Sequence, residues 1–144
     1  MRAKDKGFNV SIHEQYEEGM PMMMVIPQDL SRAVLNVMNN ACYAVWKKAQ
    51  TAPESYVPEV SVEVSMAGDR FTISIADNGE GMTDEVKQRL FENFFTTKPI
   101  GQGTGLGMSI TRDIIENKHG GKLSFESTQG QGTCFSFTIP IKKA

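Results

Sequence analysis

The spacing of apolar residues changes along this chain from a helical period to strict alternation, and this change constrains the fold most. Apolar residues recur at helical spacing from about Asp29 to about Ala49, which predicts a long amphipathic helix. Asp29 is suited to the N-terminal end of that helix. Val60 to Met66 and Phe71 to Ile75 then alternate with polar residues on either side of a turn at 67–69, so we expect a β-hairpin.

Shorter elements surround this central unit. They are a half-buried strand around Phe8 to Ile12, a short helix opened by Thr83, a mobile loop from Phe91 to Gly107, a helix from near Gly107 to Gly120, and strands over 122–126 and 133–139. Because helices and strands mix without regular βαβ alternation, we expect an α+β fold. The expected architecture is a two-layer α/β sandwich, in which a mixed, mostly antiparallel sheet packs on about three helices.

Length and composition fit one domain with an ordered core over about 8–141, since the chain has 144 residues, 40% of them hydrophobic. A net charge of -2 without a Lys/Arg block gives no indication of a nucleic-acid or membrane-surface partner. Cys42 and Cys134 lie far apart, so we expect neither a disulfide framework nor a zinc site. The charged start and the lack of a long apolar run indicate a cytoplasmic domain, as a chain of its own or as the cytosolic part of a membrane-bound parent.

A polar stripe borders the apolar face of the long helix. Asn36, Asn40, Tyr43 and Lys47 follow i, i+4, i+7, i+11 spacing. Two amide oxygens there are able to hold a hard cation and Lys47 to meet a phosphate, but the stripe taken alone fits a solvated helix face. The apolar run Met22 to Ile26 is equally open, because it fits either a core strand or an exposed interaction surface.

Two glycine-containing segments suit a nucleotide. The second hairpin strand ends in Asp77-Asn78-Gly79-Glu80-Gly81-Met82, where a carboxylate is able to accept a hydrogen bond from the adenine amine and glycines permit close approach to the backbone. A polar turn is the alternative. Gly101 to Gly107 then leads into a helix, whose N-terminus presents N–H groups to phosphates. It matches neither the P-loop nor the Rossmann fingerprint.

In order and spacing these segments resemble the ATPase domain shared by histidine kinases, gyrase, Hsp90 and MutL, and within it the sensor histidine kinases most closely. The matched segments are the N box at Asn36 to Ala41, the first glycine box at Asp77 to Gly81, the F box at Phe91 to Phe95, the second glycine box at Gly103 to Met108, and the final glycine-containing element at Gly130 to Thr133. The resemblance covers about Val10 to Ile139 and implies ATP held between the helices under a mobile lid.

The resemblance also implies roles for single residues. Asn40 would ligate Mg²⁺, Asn36 would support the metal and the phosphates, and Asp77 would read adenine, so the implied cofactors are ATP and Mg²⁺. Asn36 and Asn40 are the implied catalytic residues. The other residues expected at the nucleotide are Tyr43, Lys47, Gly79, Gly81, Met82, Phe95, Lys98, Gly103, Thr104, Gly105, Leu106, Gly107 and Thr133. Thr133 would reinforce Asp77 through water, Phe91, Phe94 and Phe95 would anchor the lid, and Lys98 would touch the terminal phosphate.

The chain departs from the family pattern at two positions. Tyr43 stands where many members have a lysine, so that phosphate contact is either absent or supplied by Lys47. Asn93 stands where the F box commonly has proline, which is expected to loosen the lid without abolishing binding.

The class of reaction depends on the nucleophile. Hydrolytic relatives carry a glutamate one helical turn before the metal-binding asparagine, whereas this chain has Asn36, which is no base; transfer to a histidine is therefore expected. His13 lies on an expected strand and His119 at an expected helix end, so neither fits a phosphoacceptor.

These observations favour a monomeric ATP-binding domain of a two-component sensor histidine kinase. Its expected partners are a dimerisation domain with the acceptor histidine, located N-terminal to this segment, and a response regulator. The alternatives are a serine kinase acting on an anti-sigma-factor antagonist and an interaction module that binds adenine nucleotide without transferring phosphate.

Overall fold

The computed structural model describes residues 11–16, 27–92 and 107–140. In chain order the elements are β1 (Ser11–Tyr16), α1 (Pro27–Ala49), β2 (Glu59–Ala67), β3 (Arg70–Asp77), α2 (Asp84–Arg89), α3 (Gly107–Asp113), β4 (Lys122–Thr128) and β5 (Gly132–Pro140). A π-helical segment, Ile114–Lys118, continues α3. Met22 to Ile26, Phe8 to Val10 and the loop from Asn93 to Leu106 lie outside the described residues.

One sheet forms the first layer, with strand order β1-β2-β3-β5-β4. The pairs β2–β3, β3–β5 and β4–β5 are antiparallel, and β1 adds a parallel edge strand beside β2. The expected α+β class and the mixed, mostly antiparallel sheet are confirmed. The predicted hairpin is also confirmed, with Ala67 opposite Arg70 across the two-residue turn Gly68-Asp69.

Helices α1 and α3 form the second layer, against which the sheet buries one face. Residues Ala33, Val37, Ala41 and Val45 repeat every fourth position of α1 and are all buried, as its amphipathic pattern predicts. Phe135, Phe137 and Ile139 of β5 alternate with partly exposed residues and meet the same core.

The start of α1 differs in detail from the sequence prediction. Helix α1 begins at Pro27, two residues before Asp29, so Asp29 lies in the first turn rather than at the cap. There its Oδ2 is 3.1 Å from the Lys118 Nζ, which ties α1 to the π-helical segment. The helical stretch formed by α3 and its π-helical continuation ends at Lys118, and Gly120 follows with a φ of 66°, in agreement with the predicted end at Gly120-Gly121. None of the helices in the described ranges combines the length and apolar character needed to cross a membrane.

The alternation of β3 determines where the candidate site lies. Phe71, Ile73 and Ile75 point into the core, and Asp77 occupies the next position of the same face. The carboxylate of Asp77 therefore enters the space between sheet and helices instead of pointing into bulk water.

The first prediction concerns this core. Ile75 is 1% exposed whereas Leu35, on the outer side of α1, is 52% exposed. Replacing Ile75 by Val should lower the free energy of unfolding by about 0.5–1.5 kcal/mol, because it leaves a void in a packed layer. The larger truncation Leu35→Ala should change it by less than about 0.5 kcal/mol. Urea denaturation measures both, and a larger loss for Leu35→Ala would contradict the layer assignment.

Candidate functional site

Asp77 is the central residue of the candidate site. Its Oδ1 accepts a hydrogen bond of 2.8 Å from the Gly79 N–H. Burial raises the pKa of Asp77 to about 6, although the backbone N–H groups of Gly79 and Thr133 and the charge of Lys48 act in the opposite direction. Glu80 raises it further. The carboxylate is thus a partly desolvated acceptor, held on one side by the backbone.

A hydroxyl pair joins the strand ends around this carboxylate. The Ser127 Oγ donates to the Gly132 carbonyl at 3.1 Å and accepts from the Met82 N–H at 2.9 Å. Because the single proton of Ser127 is used in this way, the Thr133 hydroxyl, 2.8 Å away, donates to Ser127. Ser127 therefore links Met82 to Thr133, which is the residue opposite Asp77 in the β3–β5 pair. The contact of either residue with a nucleotide, and the water-mediated contact of Thr133, stay predictions.

The two glycines after Asp77 are required by contacts within the chain. A Cβ on Gly79 would lie 2.7 Å from the Ala44 Cβ of α1 and 2.8 Å from the Asp77 Oδ1. Gly81 has a φ of 69°, and a Cβ there would collide with the Thr128 carbonyl. The turn consequently packs directly on α1 and on β4. Contact of either glycine with base or ribose remains a prediction.

Asn36 and Asn40 face α3 rather than bulk solvent. The Asn36 Nδ2 donates to the Gly107 carbonyl at 3.3 Å and to the Thr111 Oγ1 at 3.2 Å, while the Thr111 hydroxyl donates to the same carbonyl at 2.7 Å. The Asn40 Nδ2 lies 3.1 Å from the Met108 Sδ. Both amides therefore join α1 to the first turn of α3, where Gly107 begins the helix.

The residues present are compatible with Mg²⁺ only in part. Within the ranges that the structure describes, no group of three or more His, Cys, Asp or Glu side chains is able to enclose a metal ion. An amide oxygen is nevertheless a hard ligand of the type Mg²⁺ accepts, and Mg²⁺ usually takes few protein ligands together with substrate phosphates. With its nitrogen turned to Met108, Asn40 keeps its oxygen for such a role.

Tyr43 and Lys47 lie further along α1. The Tyr43 ring packs against Trp46, with ring centroids 5.7 Å apart. The Lys47 Nζ is 3.6 Å from the Glu80 Oε1, and Ala44, which precedes it by less than one turn, touches Gly79. Lys47 therefore lies near the Asp77 end of the site, so the geometry does not favour the predicted phosphate contact, which stays untested.

The predicted lid is mostly outside the described residues. This applies to Phe95, Lys98, Gly103, Thr104, Gly105 and Leu106. Phe91, at the start of the segment, packs edge-to-face on Phe125 at 6.0 Å and lies under the Arg112 guanidinium at 5.2 Å. It anchors the beginning of the segment to the sheet and to α3.

Sequence reasoning missed the polar residues that support the site. Asn78, Lys48 and Tyr56 hold the turn after Asp77, Ser127 holds Met82, and Thr111 holds Asn36. Thr111 carried a signal, because it lies one helical turn after Gly107 on the apolar side of α3. Asn78 belongs to the predicted first glycine box but was given no role of its own there. Lys48, Tyr56 and Ser127 carried no signal, since their partners are distant in sequence.

An α+β domain with a half-buried aspartate at a strand end, and with two asparagines of a long helix on a second helix, has the arrangement of a nucleotide-binding ATPase domain. The family model described as histidine kinase-, DNA gyrase B-, and HSP90-like ATPase matches residues 25–143. The chain belongs to this ATP-binding family.

The curated proteins that the chain is similar to include sensor histidine kinases. The chain is 35% identical over 133 residues to the sensor protein TdiS of Thauera aromatica, an overlap of 92% of this chain and 23% of that protein. It is 36% identical over 116 residues to the sensor histidine kinase ZraS of Klebsiella oxytoca, covering 80% of this chain and 22% of the relative. The chain thus spans less than a quarter of the length of these relatives.

Solved structures give the same result. The nucleotide-free catalytic domain of histidine kinase ThkA superposes with a TM-score of 0.74 at 26% identity, covering 92% of this chain and 81% of that one. The mycobacterial sensor histidine kinase MprB superposes with a TM-score of 0.71 at 25% identity, covering 94% and 84%. The chain resembles catalytic domains of sensor histidine kinases in both sequence and structure.

The raised pKa of Asp77 predicts how stability depends on pH. Because the folded-state pKa of about 6 exceeds the unfolded value near 3.8, the folded chain binds more protons between these limits. Protonation of Asp77 therefore stabilises the fold at low pH. As pH rises from about 4 to about 6, the free energy of unfolding falls by on the order of 3 kcal/mol. Asp77→Asn should be more stable than wild type at pH 7 in urea denaturation. Asp69→Asn, in the exposed hairpin turn, is the control, and equal pH profiles for Asp77→Asn and wild type would contradict the assignment.

The contacts of Asn36 predict a cost for a carboxylate at this position. In Asn36→Asp the donor to Gly107 and Thr111 is lost and a negative oxygen faces two acceptors, so we expect a loss of about 1–3 kcal/mol in unfolding free energy. The matched control is Asn39→Asp, on the exposed side of the same helix. Losses of similar size in both variants, measured at neutral pH, would show that helix propensity rather than the α3 contact is responsible.

Proposed function

We propose that this chain is the ATP-binding catalytic domain of a two-component sensor histidine kinase, which donates the γ-phosphoryl group of ATP to a histidine on a separate dimerisation domain. The observation that carries the proposal is the Asp77 carboxylate, half-buried at the end of β3 with one oxygen held by the Gly79 N–H. The resemblance to sensor kinases over most of the chain supports the same conclusion.

Adenine recognition follows from the chemistry of Asp77. An ionised carboxylate accepts a hydrogen bond from the exocyclic amine of adenine but repels the carbonyl oxygen that guanine has in the same place. The backbone donors orient the carboxylate before the base arrives, and partial burial strengthens the new hydrogen bond. Asp77 is therefore the residue that selects the base.

The phosphates lie at the other end of the proposed site. Asn40, with Asn36 behind it, would hold Mg²⁺ through its amide oxygen, and the glycine segment ending at Gly107 would surround the phosphates with N–H groups. Bound Mg²⁺ supplies neutralisation of phosphate charge. Asn36 donates to a carbonyl and a hydroxyl, so it holds α3 in place and does not activate water.

The acceptor histidine is proposed to lie on a separate dimerisation domain, because neither of the two histidines of this chain fits the role. His119 is 5% exposed, and its Nδ1 is 2.9 Å from the Ile114 carbonyl, which makes it part of the helix end. His13 belongs to β1, opposite Ser61 of β2, and not to a helix. A dimerisation domain of the parent protein, followed by a response regulator, would then receive the phosphoryl group, with the isolated domain monomeric.

Binding of labelled ATP tests the nucleotide site. Asp77→Asn should weaken binding at least about tenfold, because a hydrogen bond to a charged group is lost, whereas Asp69→Asn should bind as wild type. Omitting Mg²⁺ should also weaken binding. Since only ionised Asp77 accepts the amine fully, wild-type affinity should fall as pH is lowered through about 6. Unchanged affinity in Asp77→Asn would remove the basis of the proposal.

Phosphate transfer from the same purified protein to different acceptor proteins distinguishes the classes of kinase. Acid-labile phosphate should appear on a dimerisation domain of the parent protein that is added in trans, and it should be absent when Asp77→Asn replaces the wild type. Acid-stable phosphoserine on an anti-sigma-factor antagonist would instead identify a serine kinase. ATP binding without transfer to any of these proteins would identify an interaction module.

A further inference from the structure

Lys48, Tyr56 and Asn78 form a polar cluster behind the turn that follows Asp77. The Asn78 carbonyl accepts from the Tyr56 phenol at 2.9 Å and from the Lys48 Nζ at 3.4 Å. The Lys48 Nζ also lies 2.9 Å from the Gly130 carbonyl and 4.9 Å from the centre of the Tyr56 ring. One cation of α1 thus contacts the turn after β3, the turn before β5 and an aromatic ring.

The Asn78 side chain fixes the same turn to the segment before β2. Its Oδ1 accepts from the Glu59 N–H at 2.9 Å, and its Nδ2 donates to the Val57 carbonyl at 2.8 Å. The peptide joining Asn78 to Gly79 is therefore held at the side chain of Asn78 and at its carbonyl oxygen. The N–H of this peptide is the one that donates to the Asp77 Oδ1 at 2.8 Å.

We propose that Lys48 and Tyr56 are positioning residues for adenine recognition, which act on Asp77 through the Asn78–Gly79 peptide. Donors on a carbonyl oxygen polarise its peptide and strengthen the hydrogen bond that the N–H of the same peptide makes. The phenol and the ammonium thereby tighten the Gly79 N–H bond to Oδ1 and fix the carboxylate plane. This inference rests on the proposed role of Asp77 in binding ATP.

The protonation states agree with this geometry. Burial raises the pKa of Tyr56 to about 12, so the phenol keeps its proton at neutral pH and remains a donor. The charged and titratable groups around Asp77 are Lys48 and Cys42 of α1, Tyr56 before β2, Glu80 of its own turn and Cys134 of β5. Lys48 is the cation among these groups, so its removal should make Asp77 harder to ionise.

The Gly79 amide proton gives a direct measurement without nucleotide. In ¹H–¹⁵N spectra of wild type it should lie downfield and follow the ionisation of Asp77 with a midpoint near pH 6. In Tyr56→Phe and in Lys48→Met it should move upfield, and the midpoint should rise. Lys48→Arg, which keeps charge and donors, should restore both, and Lys122→Met, at the far end of β4, should leave both unchanged.

ATP binding gives the functional measurement. Tyr56→Phe and Lys48→Met should each raise the dissociation constant about three- to tenfold and reduce the preference for ATP over GTP, while the pH midpoint of binding rises. Lys48→Arg should stay within about twofold of wild type. A general loss of structure would change the whole amide spectrum, whereas the positioning role predicts a shift of the pH midpoint of binding with the remaining amide spectrum retained. Should Tyr56→Phe fail to fold, Lys48→Met carries the test.

The outcomes separate this inference from the proposed function. In one outcome, Asp77→Asn weakens ATP binding, but the Gly79 chemical shift and both pH midpoints stay at wild-type values in Tyr56→Phe and Lys48→Met. The positioning role is then overturned, while the proposed function stands. If Asp77→Asn itself binds ATP as wild type does, the proposed function fails first. Upfield shifts with raised midpoints and rescue by Lys48→Arg support the positioning role.

Discussion

The contact between α1 and Gly79 determines the depth at which Asp77 is held. The Ala44 side chain occupies the space that a Cβ at Gly79 would need, so the turn after β3 lies directly on the helix. Asp77 is thereby drawn into the layer between helix and sheet, where water is partly excluded. Any larger residue at either contact position would separate the layers and return the carboxylate to solvent, where it would be an ordinary surface acid.

Burial of this carboxylate opposes stability and supports recognition. Desolvation disfavours the ionised state of the carboxylate, which is the state that would accept the proposed hydrogen bond from adenine. The N–H groups of Gly79 and Thr133 recover part of this penalty while leaving acceptor capacity for a ligand. The site therefore keeps a charge that is costly without ligand, a frequent compromise where binding or catalysis requires a preorganised group.

Local patterns in the sequence were sufficient for the fold, whereas long-range contacts were needed for the site. The period of α1 and the alternation of β2 and β3 depend on neighbours within one element. These elements were therefore predictable, with their ends correct to within about two residues. The partners of Asn36 lie 71 and 75 positions away, and those of Lys48 lie 30 and 82 away. The repeat of apolar and polar residues along one element carries no information about such distant contacts. Lys47 was therefore a candidate from its spacing on the helix, while its neighbour Lys48 was overlooked.

Helix α1 joins the two ends of the proposed nucleotide site. Asn36 and Asn40 contact α3 at one end, Ala44 meets Gly79 in the middle, and Lys48 reaches both turns at the other end. Asn40 and Lys48 are eight positions apart, about 12 Å along a helix axis. Because a helix resists stretching, the α3 contact and the Asp77 turn cannot move apart independently. A displacement of α1 along its axis would shift both ends together, so the proposed phosphate and base contacts would both respond to the position of one rigid element.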